Sequence, residues 1–243
     1  MLYGSALTSL GAWIYLTLFH GKFWQGGPTL KPSTAPPCAP DVAIVVPARD
    51  EAASIEACLT SLLEQDYDGK LSVILVDDNS TDGTGDLARA LPDPHKRLTV
   101  LTGASRPAEW SGKLWAVNQG AQEALDHIGP YGYILLTDAD IMHAPKHLST
   151  LLAKARADDL DLVSEMVALN CESSAERFLV PAFVYFFAML YPFAWTANER
   201  SKIAGAAGGT ILLRRRALER IGGIEAIRGA LIDDCTLAAH VNR

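Results

Sequence analysis

Residues 71–84 read LSVILVDDNSTDGT, an apolar run that ends in two carboxylates and a tail of small polar residues. Such a run is typical of a strand that is buried on both faces, as strands of parallel sheets are. The tail from Ser80 onward is good N-cap chemistry for a following helix. Capping does not account for Asp77 and Asp78, two adjacent carboxylates that need hydrogen-bond donors or a cation nearby.

The same alternation of apolar runs and helix-like segments continues along the chain. The predicted strands cover residues 42–47, 71–77, 97–102, 133–138 and 160–169, and the predicted helices cover 52–65, 83–91, 113–127 and 145–157. Alternating strands and helices predict an α/β, Rossmann-like architecture, with a mainly parallel sheet flanked by helices. We expect this domain to occupy residues 41–243, after a proline-rich linker over residues 25–40.

Composition excludes several classes of protein. The chain has 243 residues, 49% of them hydrophobic, which argues against a disordered chain. Its net charge of −7 argues against a nucleic-acid partner, because nucleic-acid-binding domains normally carry a basic face. Its four cysteines are far apart and form no C-x-x-C motif, so they predict reduced thiols and neither a disulfide framework nor a zinc site.

The N-terminal segment is free of charge and rich in aromatic residues. Residues 1–19 contain no charged side chain, and six of the 19 aromatic residues lie within residues 1–24. We predict a transmembrane anchor over residues 1–24. A cleaved signal peptide is the alternative, but no basic residue precedes Lys22 and bulky residues occupy the expected cleavage position. Lys22, at the C-terminal end of this segment, and Lys31 beyond it predict a domain that faces the cytoplasm.

A second apolar stretch covers residues 178–195, with eight aromatic residues and no charge. Pro181 and Pro192 interrupt it, which weakens the case for a full span. We predict an interfacial or re-entrant helix lying against a bilayer, and a buried core helix is the alternative.

Polar residues follow several of the predicted strands. Ligands of open α/β sheets bind beyond the carboxyl ends of the strands, so these residues are the first candidates for a site. Arg49 and Glu51 follow the first run, and surface charge with helix capping is the alternative for both. Asp138 and Asp140 follow the fourth in D-x-D spacing, which offers hard oxygen ligands to one divalent cation.

Two further segments carry charge ahead of helix-like patterns. Gly112 and Lys113 begin one of them, a place suited to an anionic group. Asp233 and Asp234 precede another, where capping and first-turn charge are an equally simple explanation.

These segments resemble a known family when they are taken together. In chain order they are VVPARDEA, VDDNSTDGT, GKLWAVN, LTDAD, GGTILLRR and IDDCTL. They resemble the family 2 inverting glycosyltransferases, which have the GT-A fold, and the resemblance covers about residues 41–243. The tryptophan-flanked WSGKLW and the two apolar segments look most like the hopene-associated branch, found beside bacterial hopanoid synthesis.

The resemblance implies a nucleotide-sugar donor, UDP-linked, a divalent Mg²⁺ or Mn²⁺ ion, and a lipid acceptor at the bacterial inner membrane. The residues implied for the nucleotide sugar are Pro47, Arg49, Glu51, Asp78, Lys113 and Asp138. Asp78 would accept from the uracil ring, and Lys113 would face the diphosphate. Asp138 and Asp140 would hold the metal ion, with Asp140 the more direct ligand. Asp234 would be the general base.

The chain departs from the family pattern in two places. Its base motif reads Ile-Asp-Asp where relatives have Thr-Glu-Asp, although the second carboxylate is kept. It reaches Arg243 inside a helix-like pattern without a Q-x-x-R-W-type motif, which predicts a domain truncated at the C-terminus. Two other functions remain open at this point: a non-catalytic nucleotide-binding membrane scaffold, and a nucleotidyltransferase, which also uses strand-end carboxylates and a metal.

Overall fold

The structure is a computed structural model that describes residues 2–33, 39–198, 201 and 203–242. The chain divides into two compact units. We call Lys31–Val167 with Ala206–Arg243 the sheet unit, and Met1–Leu30 with Ala168–Gly205 the helical unit. Part of the predicted linker, residues 34–38, lies outside the described residues.

The sheet unit is built on six strands. They are β1 (Val42–Ala48), β2 (Leu71–Asp77), β3 (Leu98–Thr102), β4 (Tyr133–Thr137), β5 (Leu162–Ser164) and β6 (Thr210–Arg214). Their order is β3-β2-β1-β4-β6-β5. The first four are parallel to one another, and β6 runs antiparallel to both β4 and β5. The predicted α/β architecture and mainly parallel sheet are confirmed.

Two strands differ from the prediction. Only residues 162–164 of the predicted run 160–169 form a strand. Strand β6 was not predicted as a strand, although its sequence lies inside the GGTILLRR motif. It joins the sheet through antiparallel pairing with β4, a partner more than 70 positions earlier in the chain.

Helices lie between the strands as predicted. Those of the sheet unit are α2 (Ile55–Leu63), α3 (Thr84–Ala90), α4 (Gly112–His127), α5 (His147–Ala157), α8 (Arg215–Arg220), the 3-10 helix η1 (Ile224–Ile227) and α9 (Asp233–Val241). Helix α4 packs on β1 and β2. Gly120 permits this approach, because a Cβ at that position would overlap the side chain of Val45.

The strand order places a switch point between β1 and β4. From β1 the sheet extends to β2 on one side and to β4 on the other, so the chain crosses over in opposite directions from the two strands. A crevice forms at such a point, at the carboxyl ends of the strands. The polar residues that follow β1, β2 and β4 therefore share one edge of the sheet.

The helical unit contains α1 (Leu2–Leu18), α6 (Ser174–Leu190) and the short α7 (Phe193–Thr196). Its internal contacts are aromatic. The His20 ring lies 4.7 Å from that of Trp195 and its Nε2 lies 2.9 Å from the carbonyl oxygen of Met189. The Phe23 and Tyr185 rings are 5.2 Å apart. The turn after α1 is thus held against the end of α6.

The predicted transmembrane anchor over residues 1–24 is not found. A helix does form there, but it has 17 residues and ends at Leu18, before Gly21 and Lys22 take positive φ angles of 59° and 49°. At about 1.5 Å per residue it is shorter than the roughly 30 Å hydrocarbon core of a bilayer. No helix in the described part of the chain is both long enough and apolar enough to cross a membrane.

Candidate active site

The loops that follow β1 and β2 are joined by reciprocal hydrogen bonds. The Asp50 amide donates to Ser80 Oγ at 3.0 Å, and the Thr81 amide donates back to Asp50 Oδ1 at 2.7 Å. The Ala52 amide donates to Asp82 Oδ2 at 2.8 Å. These bonds hold the two loops together, so the residues between them are positioned as one surface. Sequence reasoning assigned no such role to Asp50 or Asp82.

The predicted nucleotide residues of the first loop have different surroundings. Pro47 lies within β1 and lines the cleft described below. The Arg49 side chain is exposed, and its Nη1 lies 3.7 Å from Asp78 Oδ2. Glu51 accepts a hydrogen bond from Ser54 Oγ at 3.0 Å. Ser54 is the N-cap residue of α2, so Glu51 contacts the start of that helix.

The two carboxylates that end β2 have separate roles. Asp77 Oδ1 accepts from the Ser80 amide at 3.0 Å, and its other oxygen packs where a Cβ on Gly85 would lie. Asp77 is therefore a turn residue. Asp78 is buried, and its Oδ2 lies 3.2 Å from the Cβ position of Gly112 at the start of α4. Asp78 thus faces the helix terminus that carries Lys113.

Lys113 connects the separate acidic groups. Ser111 caps α4 by accepting from the Leu114 amide, so Lys113 is held in the first turn. Its Nζ lies 2.6 Å from Asp138 Oδ1. Burial lowers the pKa of Lys113, but the nearby carboxylates of Asp138, Asp233 and Asp234 outweigh burial, and the net effect is a raised pKa. The ammonium group is therefore charged and stands among three carboxylates.

The D-x-D loop begins directly after β4. Asp138 is partly exposed and Asp140 is exposed, so both are open to solvent on the same short loop. Cys58 lies beneath the loop, with its Sγ 3.6 Å from the Asp138 carbonyl oxygen. Burial, together with the charges of Asp140, Asp138 and Glu51, raises the pKa of the Cys58 thiol to about 12. The thiol is therefore neutral, and Glu51 lies close enough to Cys58 to contribute to this shift.

The base motif, Asp233 and Asp234, also lines the cleft described below. Helix α9 begins at Asp233, and Asp233 and Asp234 occupy its first turn. Cys235 Sγ lies 3.7 Å from the Ala206 carbonyl oxygen, which holds this end of α9 against the segment before β6. A Cβ on Gly208 would lie 3.2 Å from Asp234 Oδ2. Gly208 therefore gives the Asp234 carboxylate the room that it occupies.

One cleft contains part of the predicted set. Its volume is about 430 Å³, including space that opens to solvent. The predicted residues that line it are Pro47, Lys113, Asp138 and Asp234. Arg49, Glu51, Asp78 and Asp140 are not among its lining residues. They lie on the adjoining loops of the same sheet edge, and Asp78 is joined to the cleft through Gly112 and Lys113.

The acidic residues fit a divalent cation that substrate oxygens help to coordinate. No group of three or more His, Cys, Asp or Glu side chains in the described ranges converges on a metal position. Mg²⁺ sites of nucleotide-dependent enzymes commonly use one or two carboxylates and complete the shell with phosphate oxygens and waters. Asp138 and Asp140 offer two such carboxylates at an open edge. The metal prediction therefore stays a prediction that these residues fit.

Comparison with known proteins gives one family. The model of the family described as "Glycosyl transferase family 2" matches residues 43–222. Probable glycosyltransferase YdaM of Bacillus subtilis is 25% identical over 207 residues, which are 83% of this chain and 46% of that protein. The succinoglycan biosynthesis protein ExoO of Rhizobium meliloti is 31% identical over 158 residues, 60% of this chain and 42% of that protein. The chain thus spans less than half the length of these relatives.

Solved structures agree on the fold. A mannosyltransferase from Pyrobaculum calidifontis, PcManGT in complex with GDP-Man and Mn²⁺, has a TM-score of 0.69 and 24% identity, over 99% of this chain and 64% of that one. TarS of S. aureus in complex with UDP-GlcNAc has a TM-score of 0.57 and 19% identity, over 83% of this chain and 54% of that one. At these identities the likeness is one of fold.

Proposed function

Because this chain belongs to glycosyltransferase family 2, we propose that it transfers a sugar from a nucleotide sugar to a lipid hydroxyl with inversion at the anomeric carbon. The observation that carries the proposal is the convergence of Lys113 with Asp138 and Asp234 in one cleft at the switch point of the sheet. A donor diphosphate needs a cation beside it, and an acceptor hydroxyl needs a base. This cleft brings residues of both kinds together.

The donor side consists of the joined loops and the start of α4. Asp78 accepts from the base of the nucleotide, which we propose is uracil, while Pro47, Arg49 and Glu51 line it. Lys113 contacts the diphosphate at a helix N-terminus, where backbone amides also favour an anion. Two fold neighbours are complexes with UDP or UDP-GlcNAc and another is a complex with GDP-Man, so nucleotide sugars suit this architecture.

The proposed reaction is a single displacement. Asp234 takes the proton of the acceptor hydroxyl as the acceptor oxygen attacks the anomeric carbon. The bond between that carbon and the diphosphate oxygen breaks, and the nucleoside diphosphate leaves with the electron pair. Asp138 and Asp140 would hold Mg²⁺ or Mn²⁺, which supplies neutralising charge on the departing diphosphate. Lys113 adds a second positive charge from the protein itself.

Membrane association and a lipid acceptor are supported by observations outside the cleft. Most large apolar side chains that are exposed in the described residues belong to the helical unit, among them Phe178 at 80% and Tyr3 at 89% exposure. Exposed apolar side chains concentrated in one unit support a membrane or protein interaction site there. We place the protein at the cytoplasmic face of the bacterial inner membrane. Its resemblance to the hopene-associated branch makes a hopanoid the first acceptor to test.

Calorimetry with UDP and Mn²⁺ tests the donor site. We expect UDP binding that strengthens with Mn²⁺, and loss of that strengthening in the double variant Asp138→Ala, Asp140→Ala. The matched control is Asp158→Ala, which removes a surface carboxylate paired with Lys154. A UDP affinity that neither Mn²⁺ nor the double substitution changes would refute the proposed donor site.

Glycolipid profiling tests transfer. A strain that lacks the gene should lose a glycolipid, and the wild-type gene should restore it while Asp234→Asn should not. Retained UDP binding by Asp234→Asn would place the defect in transfer. A glycolipid restored by Asp234→Asn would favour a scaffold, and pyrophosphate release from UTP and a sugar phosphate would favour a nucleotidyltransferase.

A further inference from the structure

Three side chains behind the D-x-D loop have no role in the proposed reaction, yet they form a hydrogen-bonded chain with Thr137. Thr137 Oγ1 lies 3.0 Å from His143 Nε2. His143 Nδ1 lies 3.0 Å from His147 Nδ1, and His147 Nε2 lies 2.5 Å from Glu165 Oε1. We call Thr137, His143, His147 and Glu165 the clasp.

The first link of the clasp closes the D-x-D loop. Thr137 is the last residue of β4, and His143 follows it by six positions. Asp138 and Asp140 both lie on the loop between them. The His143 amide also donates to Ser61 Oγ of α2 at 3.0 Å, so the far end of the loop is held by backbone as well as side chain. The loop that carries both candidate metal ligands is therefore tied at its base.

The clasp also contacts the segment that lies beside Asp234, the proposed base. The Thr137 hydroxyl donates to the Gly209 carbonyl oxygen at 2.9 Å. Gly209 adjoins Gly208, whose Cβ position lies 3.2 Å from Asp234 Oδ2. The hydroxyl of the last residue of β4 thus contacts both His143, after the D-x-D loop, and Gly209, in the segment next to Asp234.

Burial differs along the clasp. Thr137 and His143 are both buried, at 2% and 7% exposure. Burial, and then the neighbouring His147, lower the pKa of His143 to about 4, against the opposing effect of Glu165. His143 is therefore neutral near pH 7 and acts as one donor and one acceptor. His147 and Glu165 are partly exposed, so the buried part of the clasp is the part next to the D-x-D loop, where polar groups that all have partners favour one arrangement.

We propose that the clasp is a positioning element, which fixes the D-x-D carboxylates relative to Asp234 so that the metal side and the base side of the cleft keep a set spacing. This inference rests on the proposed function. Thr137 lines the cleft, whereas His143, His147 and Glu165 do not, so these three side chains act through the loop and through Thr137. Residues that orient metal ligands from behind commonly change metal affinity by about 10–100-fold when they are substituted.

The test is Mn²⁺ binding by calorimetry in the presence of UDP, with the full chain. Thr137→Val removes the hydroxyl at nearly constant volume, and we expect Mn²⁺ affinity to fall about ten-fold. Thr137→Ser keeps the hydroxyl and should restore it. Glu165→Gln, at the far end of the clasp, should give a smaller loss in the same direction. His127→Ala is the control, since it breaks a similar His–Glu pair on α4, with His127 Nε2 3.1 Å from Glu123 Oε1.

The outcomes separate the clasp from the donor site. A wild-type chain that binds UDP and Mn²⁺, with Thr137→Val equal to it in affinity and lower only in thermal stability, would overturn the clasp and leave the proposed function standing. If Thr137→Val does not fold, Glu165→Gln decides, and unchanged Mn²⁺ affinity overturns the clasp. A wild-type chain that binds neither ligand would overturn both proposals.

Discussion

The sheet unit and the helical unit use the same kinds of apolar residue in opposite ways. The sheet unit buries them, and residues such as Ile44, Ile74 and Ile134 have no exposed surface. In the helical unit sixteen large apolar side chains of the described residues are exposed, whereas four are exposed in the sheet unit. Charged residues are also distributed unevenly between the two units. The charged residues of the helical unit that the structure describes are Lys22, Glu172, Glu176 and Arg177.

The difference shows that apolar composition alone does not reveal what an apolar residue packs against. A sheet covers its own apolar faces with helices from the same chain. A concentration of exposed apolar side chains in one unit is typical of a surface that contacts a membrane or another protein. The contrast makes predictions for stability, for membrane binding, and for Lys113 and Asp161 in the sheet unit.

The largest expected effect is on stability, from Ile134→Ala. Ile134 is fully buried in β4, and truncating a buried isoleucine typically costs about 2–5 kcal/mol of unfolding free energy. The comparable truncation in the helical unit, Phe178→Ala, should change it by less than about 0.5 kcal/mol, because this side chain is 80% exposed. Urea unfolding followed by circular dichroism measures both. Equal losses would show that the two units do not differ in this way.

The sequence predicts most of the sheet unit because its signals are local. Each of the four parallel strands is an apolar run, and each is followed by a segment of helical character, so β1 to β4 lie within a few residues of their predicted bounds. Strand β6 was not predicted, because its five residues, between a glycine pair and two arginines, show no strand pattern of their own. Its place depends on pairing with β4, which no local signal records.

The candidate site was also predicted only in part. The carboxylates after β2 and β4 stand out in the sequence because they follow buried strands. The bonds that position them do not, since the Asp50–Ser80 and Thr137–Gly209 contacts join residues 30 and 72 positions apart. The predicted anchor is not found, for a related reason. An uncharged run of 19 residues is visible in the sequence, whereas the turn at Gly21 that ends its helix early is a matter of backbone conformation.

Membrane binding gives the next largest effect. Phe186 lies on α6 and is 52% exposed, so Phe186→Lys places a charge in the apolar surface without disturbing a core. We expect the fraction of protein that floats with vesicles of phosphatidylethanolamine and phosphatidylglycerol to fall about ten-fold. Tyr131→Lys is the control, because Tyr131 is also an exposed aromatic residue, at 85%, but lies in the sheet unit. Flotation that is the same for both variants and the wild type would remove the bilayer as the covering partner.

Lys113→Met should affect two ligands in opposite directions. Because Lys113 is paired with Asp138, it competes with a divalent cation for that carboxylate, and its removal should tighten Mn²⁺ binding without nucleotide. It should also weaken UDP binding about ten-fold, since a charge-assisted hydrogen bond contributes roughly 1.5–3 kcal/mol. Calorimetry measures both, with Lys70→Met as control because Lys70 donates to the His127 carbonyl oxygen away from the cleft. Weaker binding of both ligands would mean that Lys113 supports the cleft and does not compete within it.

The smallest effect concerns the carboxylate at the opposite edge of the sheet. Tyr133 pairs with Arg214 at one end of the β4–β6 ladder, and Thr137 pairs with Thr210 at the cleft end. Asp161 binds Arg220 at 2.8 Å and lies 3.4 Å from both Arg214 and Arg216. Burial raises the pKa of Asp161, but the hydrogen bond from Arg220 and the charges of the three arginines outweigh it and hold the pKa below its usual value.

A carboxylate with a depressed pKa stabilises the fold above its unfolded pKa of about 3.9 and loses that contribution as pH falls through the folded value. Asp161→Asn should therefore cost about 1 kcal/mol at pH 7, a figure kept low because the partners Arg216 and Arg220 are half-exposed. The cost should shrink towards zero as the pH approaches 2. Asp86→Asn removes the exposed partner of Arg89 and should leave unfolding unchanged at either pH. A cost for Asp161→Asn that is the same at both pH values would mean that this carboxylate acts through packing and not through its charge.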